Sequence, residues 1–228
     1  MERRTALITG ATRGLGLAIA DQLSPDYDLL LGGRDPAVTE GIASGFPSAR
    51  GFACDLSDLE SLPSAVAGIE KLDVLVHSAG VAPHERVEEL TPQEWSRVLT
   101  LNLMAAAELT RLLLPRLRAS HGHVVFINAG LGLHTGTGWA TYSASKFGLR
   151  AFADALREEE RGHVKVTSIH PGRIDTDMQR AIYEAMDRPY NASDHLAPAT
   201  VARAVHYVLD AGPEAMVEML QIRPEAVG

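Results

Sequence analysis

The 228-residue sequence predicts an α/β fold: a doubly wound parallel sheet of about seven strands with helices on both faces. Three observations carry this. Short apolar runs of strand length alternate with runs of helical period from end to end. The first such run, Thr5 to Thr9, has the continuous apolar character of a strand buried on both faces. Glycine-rich or polar turns follow the strand-like runs at Gly10, Asp55, Gly80, Asn128 and Pro171-Gly172, so they converge on the edge where open sheets of this class hold ligands.

In chain order, Thr5–Thr9 runs into Gly10-Ala11-Thr12-Arg13-Gly14-Leu15-Gly16. Leu17, Ile19, Ala20 and Leu23 then mark a helix that stops at Ser24-Pro25. Tyr27–Leu31 is a second strand, Arg50–Ala53 a third before Asp55, and Leu72–Val76 a fourth ending at Ser78-Ala79-Gly80. A helix over about Pro92–Leu117 leads to strand His123–Ile127. Phe147, Leu149, Ala151, Phe152, Ala155 and Leu156 give the next helix its period. Strand Val164–Ile169, helix Pro198–Leu209 and strand Met216–Ile222 complete the pattern. With no linker or repeat to divide it, the chain is expected to form one domain over residues 1–228. Residues 176–196 break the rhythm, and an irregular insertion of this length is expected to be a substrate loop or lid.

An apolar fraction of 46% with 22% charged residues excludes a disordered chain. A net charge of −8 argues against a phosphate-neutralising nucleic-acid surface. Cys54 alone cannot form an internal disulfide, and it reads as a small buried apolar residue. No signal-peptide pattern follows Met1-Glu2-Arg3-Arg4, and no run of about 18 apolar residues occurs, so no membrane partner and a cytoplasmic location are expected. His121, His123, His134, His163, His170 and His206 lack metal-ligand spacing, so no metal is expected.

Tyr142 and Lys146 lie four residues apart on the same helix face. A cation beside a phenol favours phenolate, which is how a tyrosine becomes a general acid/base. The Gly10-x-x-x-Gly14-x-Gly16 turn joins a strand to a helix, where glycines let the backbone approach a pyrophosphate and the helix end supplies free N–H groups. Past the second strand stands Arg34. An arginine there, with Arg13 in the turn, suits a ribose 2′-phosphate and hence NADP; Asp35 next door could instead accept a 2′-hydroxyl, leaving NAD possible.

Together, Thr9-Gly10-x-x-x-Gly14-x-Gly16, Ala79-Gly80, Asn102, Tyr142-x-x-x-Lys146 and Pro171-Gly172 resemble the short-chain dehydrogenase/reductases of the classical type, in order and over essentially the whole chain. The resemblance implies a Rossmann-type domain exchanging hydride between NAD(P) and a small alcohol or carbonyl. It implies that Tyr142 is the acid/base, that Lys146 lowers its pKa and holds the nicotinamide ribose, and that Asn102 anchors a proton-relaying water. It assigns Gly10, Thr12, Arg13, Gly14, Leu15, Gly16, Arg34, Asp55, Leu56, Ser78, Ala79, Gly80, Pro171, Gly172 and Thr176 to the cofactor. In relatives the two long helices pack against a second subunit, so a homodimer or homotetramer is expected.

Three departures stand out. The family places a serine thirteen residues before the tyrosine, where its hydroxyl polarises the substrate carbonyl; here that position is Ala129. Asn128, Thr135 or Thr137 would have to substitute, or the chain is a disabled reductase or an NADP(H)-binding sensor. Asn-Asn-Ala-Gly is replaced by His77-Ser78-Ala79-Gly80, with His77 read as structural. The C-terminal stretch Met216–Pro224 lacks the usual Asp-Gly ending. Substrate is expected to meet Asn128, His134, Trp139, Met178 and Tyr183, and to be apolar or of mixed polarity. The acidic run Glu158-Glu159-Glu160 reads as a solvated helix end.

Overall fold

The computed structural model describes residues 3–225; the ends of the expected domain, residues 1–2 and 226–228, lie outside them. Seven parallel strands form the sheet: β1 (Arg4–Ile8), β2 (Tyr27–Gly33), β3 (Ala49–Ala53), β4 (Val74–His77), β5 (His123–Ile127), β6 (Lys165–Pro171) and β7 (Met219–Ile222). Their order is β3-β2-β1-β4-β5-β6-β7. The chain winds outward from β1 in one direction, then returns and winds in the other. The switch point therefore falls between β1 and β4, where Ala6 pairs Val74 and Ile8 pairs Val76. A crevice opens beyond the carboxyl ends of two such strands.

Side-chain alternation explains why these strands are apolar throughout. Ala6 and Ile8 of β1 enter a core shared with α1 (Gly14–Leu23) and with the late helix Pro198–Leu209. Leu7, between them, enters the opposite core with Leu109, Leu113 and Leu117. A strand covered on both faces has no polar side to show.

The remaining helices are α2 (Pro36–Ala43), α3 (Leu62–Val66), α4 (Pro92–Leu99), α5 (Ala105–Ala119), α6 (Ala140–Glu159), α7 (Asp177–Ala185) and α8 (Pro198–Leu209). Asp35 caps α2 by accepting the N–H groups of Ala37 and Val38, with Pro36 at the first helical position. Between α4 and α5 the helix widens into a π turn over Thr100–Met104, so the expected long helix is continuous but not uniform.

Two expectations need correction. Residues 176–196 are irregular only in part: Thr176 accepts from Gln179 N–H and starts α7 there, and irregular chain resumes after Ala185. Glu160 is not solvated but buried at 1% exposure, forked onto the Arg118 guanidinium with one arm at 2.9 Å. That pair ties the end of α6 to the end of α5. Separately, Pro92–Ala119 is by length and composition apolar enough to cross a membrane. Its Leu109, Leu113 and Leu117 lie in the core, which accounts for that apolar character.

Candidate active site

The first wall of the crevice is a turn whose glycines leave no room for side chains at their positions. Gly10 (φ +65°) and Gly14 (φ +57°) adopt left-handed backbone. A methyl on Gly10 would lie 2.9 Å from the Ala79 Cα, and one on Gly16 would run into the Gly10 carbonyl. Thr9 holds the two sides together, its hydroxyl accepting the N–H groups of Ser78 (3.0 Å) and Ala79 (3.1 Å). The α1 N-cap residue, Arg13, offers no side-chain acceptor to the first-turn N–H groups. An anion could therefore claim them. The cradle fits the pyrophosphate of a dinucleotide, because its glycines leave open the space that Cβ atoms would fill.

Around the cradle, Thr12 lies against Gly33, and Leu15 packs on the core. Arg34 is exposed near Asp55, whose carboxyl is held low chiefly by hydrogen bonds from Ser57, with a smaller pull from Arg34. Leu56 is half-buried against the second core. Asp35 is committed to capping α2. Arg13 reaches Asp177 at 3.4 Å across exposed surface. Thr176 hangs over the turn: a methyl at Gly14 would lie 3.6 Å from its Cγ2. Pro171 is buried and Gly172 N–H donates to the Ile222 carbonyl at 2.7 Å.

The second wall is α6. Lys146 is buried, its Nζ donating to the Ile127 carbonyl at 2.9 Å and lying 5.8 Å from the Tyr142 ring centre. Desolvation lowers the lysine to about 8. Burial also raises the Tyr142 phenol well above its ordinary value. Asn102, in the π turn, clamps Val81 through both its amide ends and donates to Ser145 Oγ at 3.0 Å. Its side chain is thus a brace between the β4 loop and the base of α6.

Ala129 follows β5 in extended backbone, and its carbonyl accepts from His170 Nδ1. Asn128 does not face the crevice: it is 3% exposed, donating to the Lys146 carbonyl and accepting from Ala129 N–H. Thr135 donates to Ser143 Oγ. Trp139 is half-buried, its ring 5.7 Å from Tyr142 and 4.9 Å from His84. His84 was not foreseen; its only sequence signal is its place in the loop after β4. Met178 is exposed on α7. Tyr183 receives a hydrogen bond from Arg173 and packs on Tyr190 and His195, bracing the segment from within. His77 is buried, stacked on Phe126 and bonded to Thr110, and burial with Lys146 nearby lowers it to about 3. It is structural, as expected.

The profile of the short chain dehydrogenases matches residues 4–187. The chain belongs to that family. An uncharacterized oxidoreductase of Saccharomyces cerevisiae is 32% identical over 223 residues, covering 94% of this chain and 87% of its own. A 3-oxoacyl-[acyl-carrier-protein] reductase of Escherichia coli is 30% identical over 193 residues, covering 79% and 78%. A solved alcohol dehydrogenase from the archaeon Thermococcus sibiricus superposes with a TM-score of 0.88 at 27% identity, covering 100% and 99%. As a short-chain dehydrogenase/reductase the protein is an NAD(P)-dependent oxidoreductase with the family's parallel sheet.

Proposed function

We propose that this family member interconverts a carbonyl and a secondary alcohol, prefers NADP(H), and uses Tyr142 as its acid/base. The observation that carries the reading is the Tyr142–Lys146 pair on α6, set beside the glycine cradle at the switch point. When bound, the dinucleotide supplies the hydride for reduction. The chain's own groups do the rest. The Gly10–Gly16 turn and the α1 N-terminus would hold the pyrophosphate, Asp55 and Leu56 the adenine, and Ser78-Ala79-Gly80 the ribose region. Pro171, Gly172 and Thr176 would hold the nicotinamide end. Lys146 would bind the nicotinamide ribose. Tyr142, kept protonated by burial, would deliver its proton to the alkoxide oxygen formed on reduction.

Preference for the 2′-phosphate rests on Arg34, exposed at the end of β2, while Asp35 is held as a helix cap. The structural neighbour from Thermococcus is described as complexed with 5-hydroxy-NADP, which supports the same choice. The apolar outer faces of α4–α6, with Met104 at 48% and Phe147 at 42% exposure, fit a homodimer or homotetramer. Sedimentation at micromolar concentration checks this, and a monomer would contradict it.

The test is NADPH and NADH depletion against a panel of ketones, aldehydes and quinones. Turnover with NADPH, reduced about 10²–10⁴-fold in Tyr142→Phe, is the expected result. A second reading, a nucleotide-binding protein without turnover, is favoured only by Ala129. Tight NADPH binding with silence across the panel would establish it.

A further inference from the structure

Resting on that reading, we propose that His134 donates the hydrogen bond to the substrate carbonyl oxygen that the serine absent at position 129 would have supplied. The geometry is that of a tight turn folding back. After Ala129, the chain forms a single 3₁₀ turn over Gly130–Gly132, with Gly132 N–H donating to the Ala129 carbonyl and Leu133 and His134 N–H to the Gly130 carbonyl. That turn returns residue 134 to the start of the loop. A methyl on Gly130 would lie 3.4 Å from His134 Cε1 and 3.8 Å from the Pro171 carbonyl oxygen. The imidazole therefore covers the residue directly after Ala129, between the ends of β5 and β6.

Other polar groups near Ala129 are occupied or turned away. Asn128 is buried with both amide ends bonded. His170 uses one ring nitrogen on the Ala129 carbonyl and the other on Ser168. Thr135 is bonded to Ser143, and with Thr137 it lines a cavity of about 550 Å³ that also touches Arg86, Ala144 and Phe147. Ala144 and Phe147 are exposed on α6. His134 is exposed, and among the described residues neither of its ring nitrogens has a hydrogen-bond partner. A neutral imidazole carries one N–H and an imidazolium two, so a donor is present in either state. The glycine at 132 serves this placement: a methyl there would run into Asn128 Oδ1.

The experiment is a double-mutant cycle between positions 134 and 129 in the full chain. NADPH binding is followed by fluorescence and turnover by absorbance, with Tyr142→Phe as reference. His134→Ala is expected to lower kcat about 10²–10³-fold while NADPH binding holds, the cost of removing one such donor. His134→Gln, which keeps a donor, should recover part of that loss. Ala129→Ser should then raise the rate far more in the His134→Ala background than in the unmodified chain, because the two donors serve one oxygen. Unchanged kcat in His134→Ala, equal gains from the serine in both backgrounds, or loss of NADPH binding with the rate would each overturn the proposal. If the unmodified chain is silent and Ala129→Ser awakens it, the reductase site stands and the His134 role fails. If every variant is silent with NADPH bound, the reductase reading itself fails and takes the His134 role with it.

Discussion

Ionisation at single residues sets the direction in which this cleft works best. Burial pushes Tyr142 up and pulls Lys146 down to about 8, so the resting pair is a protonated phenol beside a weakly held cation. A protonated phenol is a proton donor. Carbonyl reduction is therefore expected to run at neutral pH, whereas alcohol oxidation, which needs phenolate from a tyrosine raised above its ordinary value, should rise with pH without levelling off by pH 10; initial rates in both directions across pH 6–10 check this. At the same scale, Gly16→Ala places a methyl against the Gly10 carbonyl and is expected to abolish NADPH binding by fluorescence titration. The glycine spacing and Tyr142-x-x-x-Lys146 were readable because each is a local pattern. The lysine's bond to Ile127 and the return of His134 over Gly130 were not, because both depend on where β5 ends relative to α6.

Among the elements, an irregular piece of helix braces the site. In the π turn between α4 and α5, Asn102 holds Val81 by two hydrogen bonds and Ser145 by a third. Asn102→Ala strands the half-buried Val81 backbone and the buried Ser145 hydroxyl, so a loss of about 1–3 kcal/mol is expected, read as a lower urea midpoint. A drop in kcat should accompany it as α6 loses its brace. The helix α7 was invisible as periodicity because Met178, Tyr183 and Met186 are scattered among polar residues, yet its Thr176 cap was in plain view. Likewise Asp35-Pro36 announced α2 by cap and first-turn proline, a signal that an arginine-versus-acid reading of the same residues obscured. Glu160 was misread for a different reason. Its partner Arg118 lies on another helix, and sequence separation hid the pair.

For the whole molecule, winding order places the chemistry. The fold was legible because strand and helix signals alternate, and the turns they enclose must meet at one edge of a parallel sheet. The sheet also buries His77 and His123, both lowered to about 3 mainly by desolvation. Each is neutral when folded but gains a proton when unfolded below about 6.5, so unfolding takes up protons and stability falls as pH drops from about 6.5 towards 3. The slope approaches roughly 1.4 kcal/mol per pH unit for each histidine. Urea midpoints at pH 7 and 5 should show a smaller acid loss in His77→Asn than in the unmodified chain. The central claim, that one edge binds NADP(H) and Tyr142 moves the proton there, is tested most directly by a single turnover. Protein loaded with NADPH is mixed with a carbonyl that it reduces, and the decay of bound-cofactor fluorescence is followed for the chain and for Tyr142→Phe. Equal loading with fast decay only when Tyr142 is present is the predicted result. Equal decay in both, or no loading of either, would contradict the account.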